Sequence, residues 1–397
     1  MKEFAAPREP LSLPLPALAE QFLLRPAMTF LNHGSFGACP RPVFEAYQAW
    51  QRELEAQPVE FLGRRIGSLL AEARAALAAY VGVPPDDLVF VPNATHAINI
   101  VARSLALAPG DEVLATDHEY GAVDRTWRFI CGRSGARYVR APIPLPLEDP
   151  AQVVEALWAH VTPRTRAIVV SHITSPTALI LPVAAICRRA REAGILTVVD
   201  GAHAPGQIAL DLPALGADFY AGNCHKWLCA PKGAGFLYAR PEAQALLSPL
   251  VVSWGWEAET PGPSPFIDYF GWTGTADPAA YLSVPAAIAF QREHDWPAVR
   301  AACRALLLDA SRQLTELTSL PPLSPDTDEW WAQMRSFPLP PCDPAALKRR
   351  LWDEYAVEVP IVVWEGRPLM RVSVQAYNGP ADIARLVEGL GALLPTA

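Results

Sequence analysis

Between residues 88 and 240, short runs of apolar and β-branched residues alternate with longer amphipathic stretches. The run LVFVP precedes the helical pattern THAINIVARSLA, and RAIVVSH precedes VAAICRRAREAG and then ILTVVD. Near-continuous apolar strands separated by helices of about 10 to 15 residues predict a parallel sheet with helices on both faces. Because such sheets bind ligands at the carboxyl ends of their strands, we expect the functional residues directly after each run.

The sequence outside this alternating region has a different pattern. Helical stretches at 42–56 and 66–82 precede the first strand, and after about residue 275 long helices lead into a few short strands. We therefore predict an α/β protein of two domains. The large domain, a mostly parallel sheet covered by helices, spans 30–274, and a smaller α+β domain is built from 1–29 and 275–397.

Composition excludes several classes of protein. The chain has 33 Lys and Arg against 41 Asp and Glu, and this net charge of −8 argues against nucleic-acid binding. No apolar run approaches the roughly 18 residues of a membrane span. Prolines interrupt the N-terminal stretch where a secretory signal would be apolar, so we expect a cytoplasmic protein. Seven scattered cysteines without a C-x-x-C spacing predict neither disulfides nor a structural metal site.

Lysine is rare in this sequence. Only four of the 33 basic residues are lysines, namely Lys2, Lys226, Lys232 and Lys348. A guanidinium cannot deprotonate to act as a nucleophile, so a lysine retained in such a composition is a candidate for amine chemistry. Lys226 is the best candidate because it follows the strand DFYAG, with donor side chains before it and Trp227 after it. Such surroundings can desolvate an amine and lower its pKa enough for it to form a Schiff base.

Two other strand ends carry polar residues. Asn93, Ala94 and Thr95 follow LVFVP and open a helix, whose free N–H groups and positive dipole end can hold a phosphate. The alternative is that Asn93 only caps the helix. Asp200 follows ILTVV, where a buried carboxylate needs a cationic partner such as a protonated pyridine nitrogen. An Asp before Gly201 can also simply form a turn.

The segment Asp200-Gly-Ala-His203, followed later in the chain by Lys226, resembles the class V aminotransferase group of pyridoxal-phosphate enzymes. The stretches LNHGSFGACP, PVEFLGRR, PNATHAIN, HEYGAVDRTW and SHITSPTALILPV are most similar to the isopenicillin N epimerase-like branch of that group. The match runs from about residue 30 to residue 378. This resemblance implies the PLP-dependent transferase fold type I, with pyridoxal 5'-phosphate (PLP) as cofactor and an amino acid as substrate.

The resemblance also implies roles for particular residues in the cofactor site. Lys226 would hold the cofactor as a Schiff base, Asp200 would pair with the pyridine nitrogen, and His203 would approach the phenolic oxygen. The other cofactor contacts would be Ser175 near the phenolic oxygen, Tyr120 on the ring face, and Ala94, Thr95, Asn223 and His225 at the phosphate.

Further implied contacts involve the substrate and a second subunit. Thr275, in GWTGTADP, matches a residue that relatives lend to the phosphate of the neighbouring subunit, which implies a homodimer with a shared active site. Arg371, in LMRVSVQAYN, matches the arginine that binds the substrate α-carboxylate. His33 and the pair Arg64-Arg65 lie in branch-typical stretches and could also reach the substrate.

The residues by themselves leave simpler alternatives open. Tyr120 could be a core aromatic at a helix start, Arg371 a strand residue in a structural ion pair, and Thr275 an ordinary turn residue. A capping histidine at His33 and a solvated face at Arg64-Arg65 are equally consistent with the sequence.

Three reactions are open for such a site: epimerisation, transamination and β-elimination. The resemblance favours epimerase or aminotransferase chemistry at the α-carbon, with a C–S β-lyase or desulfurase-like enzyme as the alternative. Desulfurases need a thiol shortly before the carboxylate-binding arginine, and Cys342 lies too early in the chain to match. A non-catalytic ligand-binding protein would be expected to lack Lys226 or Asp200, and a nicotinamide oxidoreductase to carry a glycine-rich fingerprint after its first strand.

Overall fold

The structure of the protein, a computed structural model, describes residues 18–394. Residues 1–17 and 395–397, which the sequence assigns to the small domain, lie outside the described residues, as does Lys2. The strands are β1 (Thr29–Phe30), β2 (Leu88–Val91), β3 (Glu112–Thr116), β4 (Arg137–Ala141), β5 (Thr165–Ser171), β6 (Leu196–Gly201), β7 (Phe219–Asn223), β8 (Gly235–Ala239), β9 (Met334–Pro338), β10 (Val357–Glu358), β11 (Ile361–Trp364) and β12 (Arg367–Ser373).

The helices before and between the strands of the large sheet are α1 (His33–Phe36), α2 (Arg41–Ala56), α3 (Pro58–Glu60), α4 (Ile66–Val81), α5 (Ala94–Ser104), α6 (Gly121–Ser134), α7 (Pro150–Trp158), α8 (Val183–Glu192), α9 (Leu212–Leu215) and α10 (Pro241–Gln244). A π-helix, Phe61–Arg65, joins α3 to α4, and a 3₁₀ turn, Pro85–Asp87, precedes β2. The later helices are α11 (Pro265–Gly271), α12 (Ala279–Leu282), α13 (Val284–Glu293), α14 (Trp296–Thr318), α15 (Pro344–Tyr355) and α16 (Pro380–Leu393).

A seven-stranded sheet with the order β2-β8-β7-β6-β5-β3-β4 forms the centre of the fold. The strands from β7 to β4 are parallel, whereas β8 runs antiparallel to both of its neighbours, β7 and β2. The predicted α/β class with a mostly parallel sheet is therefore confirmed. The antiparallel strand β8 was not predicted, because its sequence GFLYA is as apolar as that of its parallel neighbours.

Successive residues of the central strands point to opposite faces of the sheet, and both faces are buried. Val169 packs in one hydrophobic cluster with α5 and α6, while Ile168 and Val170 belong to a larger cluster on the other face. Burial on both faces explains why the strand sequences are apolar throughout instead of alternating.

Local signals in the sequence set several helix boundaries. The Asn93 side chain accepts a hydrogen bond from His96 N (2.9 Å) and caps α5. Helix α4 ends at Gly82, which has a φ of 80° and satisfies the last turn in the left-handed conformation. The cap expected at Asn93 is present, and the next two residues, Ala94 and Thr95, form the start of the first turn of α5.

The N-terminal part of the described chain joins the C-terminal strands. β9, β11 and β12 form an antiparallel sheet, β1 pairs with β10, and Asn32 bridges to Ser373. The division into domains at residues 29/30 and 274/275 stays a prediction. Within residues 18–394, no helix combines the length and apolar character that crossing a bilayer would require.

A substitution at Leu237 can test how much the central sheet contributes to the stability of the fold. It is fully buried in β8, so Leu237→Ala should lower the free energy of unfolding by about 2 to 5 kcal/mol through lost burial and a cavity. Leu246 is 43% exposed, so the matched control Leu246→Ala should change the free energy of unfolding by about 0.5 kcal/mol or less. Urea unfolding followed by circular dichroism measures both changes, and equal losses would contradict this assignment of the core.

Candidate active site

A cavity of about 510 Å³ opens where β5, β6 and β7 end and α5 begins. Nine of the residues predicted for the site line it: Ala94, Thr95, Tyr120, Ser175, Asp200, His203, Asn223, His225 and Lys226. These residues come from five separate segments of the chain. The expectation that functional residues follow the strand runs therefore matches the position of this cavity.

Lys226 lies three residues after β7, and its amine is buried at the floor of the cavity. Burial lowers the pKa of Lys226 to about 7; the nearby charge of Arg371 also lowers it, while Asp200 raises it. A substantial fraction of the amine is therefore neutral, and hence nucleophilic, at neutral pH.

His203 lies 3.3 Å from the amine, measured from Nε2 to Lys226 Nζ. Trp227 Nε1 donates to His203 Nδ1 (3.3 Å), and an indole N–H can only donate, so the proton of a neutral His203 ring must lie on Nε2. Burial, with the positive charge of Lys226, holds the pKa of His203 well below its usual range. His203 thus presents an N–H donor to the neutral amine or to a bound acceptor.

Asp200 ends its strand with a nearly buried carboxylate that is 5% exposed. Its Oδ1 accepts a hydrogen bond from Ala202 N (2.9 Å), and within residues 18–394 it forms no salt bridge. Burial raises the pKa of Asp200, while the Ala202 N–H and the Lys226 charge oppose that rise. A cationic N–H donor in the cavity would therefore be strongly favoured beside this carboxylate.

Polar groups also surround the N-terminus of α5. Asn223 Oδ1 accepts from Ala94 N (2.8 Å), and His225 Nδ1 contacts Ala234 O (3.1 Å), which leaves Nε2 of His225 free. Burial lowers the pKa of His225 to about 4, so this ring is neutral at neutral pH. The helix dipole and the Asn223 side-chain N–H groups suit this region to an anion. A neutral His225, whose Nδ1 proton points to Ala234 O, presents only an acceptor at Nε2.

Arg371, on β12, is 5% exposed and has no carboxylate partner among the described residues. Nη1 donates to Ser175 O (2.7 Å) and to Ser175 Oγ (3.1 Å), and Nη2 donates to Ser35 Oγ (3.2 Å). Its Nε is buried without a partner, and burial lowers its pKa to about 10. The structural ion pair considered from the sequence is therefore absent in the part of the chain described. A buried guanidinium with a free donor is suited to a ligand carboxylate.

Several other predicted positions differ from expectation. His33 is fully buried and does not line the cavity; its Nε2 lies 3.0 Å from Lys226 O, and its Nδ1 lies 2.9 Å from Tyr377 Oη. The carbonyl oxygen can only accept, so His33 Nε2 donates to Lys226 O, and His33 Nδ1 accepts from the Tyr377 hydroxyl. Since both ring nitrogens have partners in the interior, His33 serves as a hydrogen-bonding group behind Lys226 instead of a substrate contact. Ser175 was expected near the phenolic oxygen of the cofactor, but both its oxygens accept hydrogen bonds from Arg371.

Thr275 and the Arg64-Arg65 pair also lie outside the cavity lining. Thr275 is exposed between α11 and α12, Arg64 is exposed in the π-helix, and Arg65 forms a salt bridge with Glu53 (2.6 Å). Tyr120 is 48% exposed at the cavity mouth, so the alternative of a core aromatic does not apply.

The cavity residues Ser35, Phe36, Ser171 and Ile173 were not predicted from the sequence. Ser35 and Phe36 could have been noticed in the sequence, because they lie between the two glycines of the segment HGSFG. Gly37 has a φ of 71°, and a Cβ there would lie 2.1 Å from His225 O and 2.9 Å from Lys226 Cα. Only glycine lets this turn lie directly on the main chain that carries Lys226.

The sequence pattern of the family described as aminotransferase class-V matches residues 31–386. A protein of Amycolatopsis lactamdurans named isopenicillin N epimerase is 41% identical over 385 residues, covering 94% of this chain and 96% of the relative. A protein of Streptomyces clavuligerus with the same name is 40% identical over 384 residues, with 94% and 96% covered.

Solved structures share the fold over nearly the whole chain. The complex of the cystine C–S lyase C-DES with its reaction product cysteine persulfide has a TM-score of 0.81 and 26% identity, covering 93% of this chain and 99% of that one. A C-DES mutant with glycine covalently linked to its PLP cofactor also has a TM-score of 0.81, with 25% identity and coverage of 94% and 98%. The predicted fold type I of PLP-dependent transferases is thereby confirmed.

The protonation of Lys226 in the cofactor-free protein can be tested by competitive labelling with acetic anhydride and mass spectrometry. Because only the neutral amine reacts, labelling should rise with pH through a midpoint of about 7. Asp200→Asn removes a charge that favours the ammonium and should lower the midpoint, whereas Arg371→Met removes a charge that opposes it and should raise the midpoint. Exposed Lys348 is the internal reference, and a wild-type midpoint equal to that of Lys348 would contradict a desolvated amine.

Proposed function

This chain belongs to the class-V aminotransferase family, and we propose that it acts at the α-carbon of an amino acid by epimerase or aminotransferase chemistry. It is a PLP-dependent enzyme, as the family resemblance implied. One observation supports the proposal above the others: the buried Lys226 amine and the Asp200 carboxylate, which has no salt-bridge partner within residues 18–394, line one cavity. The Arg371 guanidinium, without a carboxylate partner in the described residues, is held against Ser175 and Ser35, which line the same cavity. Each of these groups lacks a partner that a bound cofactor and an amino acid would supply.

The side chains present fit the cofactor. Lys226 would hold it through Nζ, Asp200 would face the ring nitrogen, His203 the phenolic oxygen, and Tyr120 the ring. The phosphate would lie at the N-terminus of α5, among the groups of Ala94, Thr95, Asn223 and His225. When bound, the cofactor supplies an electron sink for the negative charge that develops at the substrate α-carbon.

Arg371 would bind the substrate carboxylate. Its Nη atoms are held by Ser175 and Ser35, and the Ser35 hydroxyl in turn donates to Asn32 Oδ1 (2.5 Å), so the guanidinium plane is fixed before a ligand arrives. The free Nε then offers a donor that water cannot easily reach. A carboxylate would also restore the charge balance that burial disturbs.

Lys226 would act as the base at the α-carbon. Because the pKa of Lys226 is about 7, a good part of the amine is neutral near pH 7 and can accept a proton. The resulting ammonium is acidic enough to give that proton back. The His203 Nε2 lies within hydrogen-bonding distance of Nζ and restricts its orientation. Asp200 opposes the loss of positive charge nearby, which keeps the amine within the useful range of pKa.

Epimerisation also requires an acid on the face opposite Lys226. Among the described residues that line the cavity, Tyr120 is the candidate, since it stands at the mouth with an O–H group. None of the cysteines lines the cavity, which disfavours a desulfurase that uses a cysteine thiol. β-Elimination without such a thiol is the second candidate function, supported by the structural similarity to a C–S lyase.

We further propose a cytoplasmic homodimer in which Thr275 serves the partner's phosphate site. The support is geometric: Thr275 is exposed on a loop that does not reach the cavity of its own chain. Beside that loop lies a largely apolar cavity of about 170 Å³, lined by residues of α4, β2, α5 and the segment 270–281. A second copy would cover this apolar surface.

Arg371→Ala should weaken amino-acid binding by on the order of 2 to 5 kcal/mol, because the carboxylate loses its buried partner. The absorption band of the bound cofactor should still form in this variant. Spectral titration with an amino acid and with the corresponding amine measures the effect, and only the amino acid should be affected. Arg367→Ala, at an exposed position on the same strand, is the control and should bind normally. Unchanged affinity in Arg371→Ala would place the carboxylate elsewhere.

Incubation of the holoenzyme with single amino acids in deuterated water distinguishes the reactions. We expect deuterium at Cα with inversion for epimerase chemistry, or release of an oxo acid for aminotransferase chemistry. Sulfide and pyruvate from cysteine would instead support the C–S lyase. Lys226→Ala should abolish exchange and remove the cofactor band that borohydride reduces in the wild type. A colourless wild-type protein that does not respond to added PLP would refute all three.

A further inference from the structure

Glu119 is a buried carboxyl beneath the cavity to which no role has yet been assigned. It is 5% exposed and directly precedes Tyr120 at the cavity mouth. Its Oε1 is 2.6 Å from Thr116 Oγ1 at the end of β3, and its Oε2 is 2.6 Å from Ser171 Oγ at the end of β5. The side chain therefore links the ends of two strands to the turn that carries Tyr120.

The same contacts bring Glu119 close to the Asp200 strand. Ser171 lines the cavity and is the register partner of Asp200 between β5 and β6. Glu119 thus reaches the two groups proposed to contact the cofactor ring, Tyr120 through the main chain and Asp200 through Ser171.

The charges that face Glu119 do not favour its ionised form. Asp200 on β6 and Asp124 on α6 are both acidic; Asp124 accepts from Tyr138 Oη on β4 (2.6 Å) and has Arg140 at 3.8 Å. Within residues 18–394, no Lys, Arg or His forms a salt bridge with Glu119, and burial lowers the pKa of the adjacent His118 to about 4.

A buried carboxylate next to a second carboxylate is costly, and protonation relieves that cost. Burial, and secondarily the charge of Asp200, raise the pKa of Glu119 to about 8, although its two hydrogen bonds oppose the rise. The two hydrogen bonds are compatible with a neutral carboxylic acid, whose O–H can donate to one hydroxyl while its carbonyl oxygen accepts from the other; a carboxylate would instead accept from both. The burial, the facing carboxylates and the lack of a salt-bridge partner in the described residues favour the neutral acid.

We propose that Glu119 is a positioning residue that works as the neutral acid, fixing the Tyr120 turn to the strand ends and leaving Asp200 as the charged carboxylate beneath the cofactor ring. The inference rests on the proposed function, because Asp200 and Tyr120 have their roles there. Ionisation of Glu119 would add a second negative charge near Asp200. That charge would favour protonated forms of the neighbouring basic groups, Lys226 among them.

Glu119→Gln tests the inference in the full-length holoenzyme. The amide reproduces the neutral acid, since its carbonyl accepts and its NH₂ donates. Near pH 7 the spectrum and kcat/KM should therefore stay within about 3-fold of wild type, whereas Glu119→Ala, which removes both hydrogen bonds, should lose about 10-fold or more in kcat/KM. As a readout that a purely structural role would not change, the wild-type cofactor band should titrate with a component at about pH 8 that Glu119→Gln lacks.

A second measurement does not depend on the cofactor. Infrared difference spectra of the wild type across about pH 8 should show loss of a protonated-carboxyl C=O stretch, and that signal should be missing in Glu119→Gln. Absence of the signal in the wild type, or a Gln variant as impaired at pH 7 as the Ala variant, would overturn the inference. If the infrared signal is present but no cofactor band forms, the proposed function fails while the neutral state of Glu119 stands.

Discussion

Desolvation of the Lys226 amine is the constraint on which the rest of the site depends. An ammonium in water keeps its proton near neutral pH, whereas burial at the end of β7 lowers the pKa of Lys226 to about 7. The structure maintains this burial by packing main chain against main chain. A Cβ at Gly37 would lie 2.1 Å from His225 O, and one at Gly206 would lie 2.2 Å from Trp227 O. Glycine at both positions lets two turns enclose the lysine without strain.

The charges of the site are organised around that amine. Arg371 disfavours the ammonium and Asp200 favours it, so the two residues proposed to bind opposite ends of the reactants also set the proton affinity of the base. A neutral Glu119 would keep the negative charge on Asp200 alone. Binding and proton transfer are thus coupled through electrostatics in a region that water does not screen.

Much of the remaining chain serves to hold these groups in place. Parallel strands bring Ser171, Asp200 and Asn223 to one edge of the sheet, and α5 starts at that same edge. β12 adds Arg371 from a different sheet, and α1 adds Ser35. The cavity therefore lies at the strand ends of the central sheet beside the N-terminal segment, and the second sheet contacts its lining through Arg371.

The sequence alone determined the α/β class, and it predicted polar residues at the strand ends, with Lys226 and Asp200 as candidate site residues. Strand periodicity is local, and the carboxyl ends of parallel strands must share an edge, so these features can be read from short stretches. Only the tertiary structure decided that His33 lies behind Lys226, that Ser175 holds Arg371, and that Arg371 has no acidic partner in the described residues. These contacts join residues 193 and 196 positions apart. No local pattern encodes such pairs, because they arise when separate elements pack together and bring distant side chains within hydrogen-bonding distance.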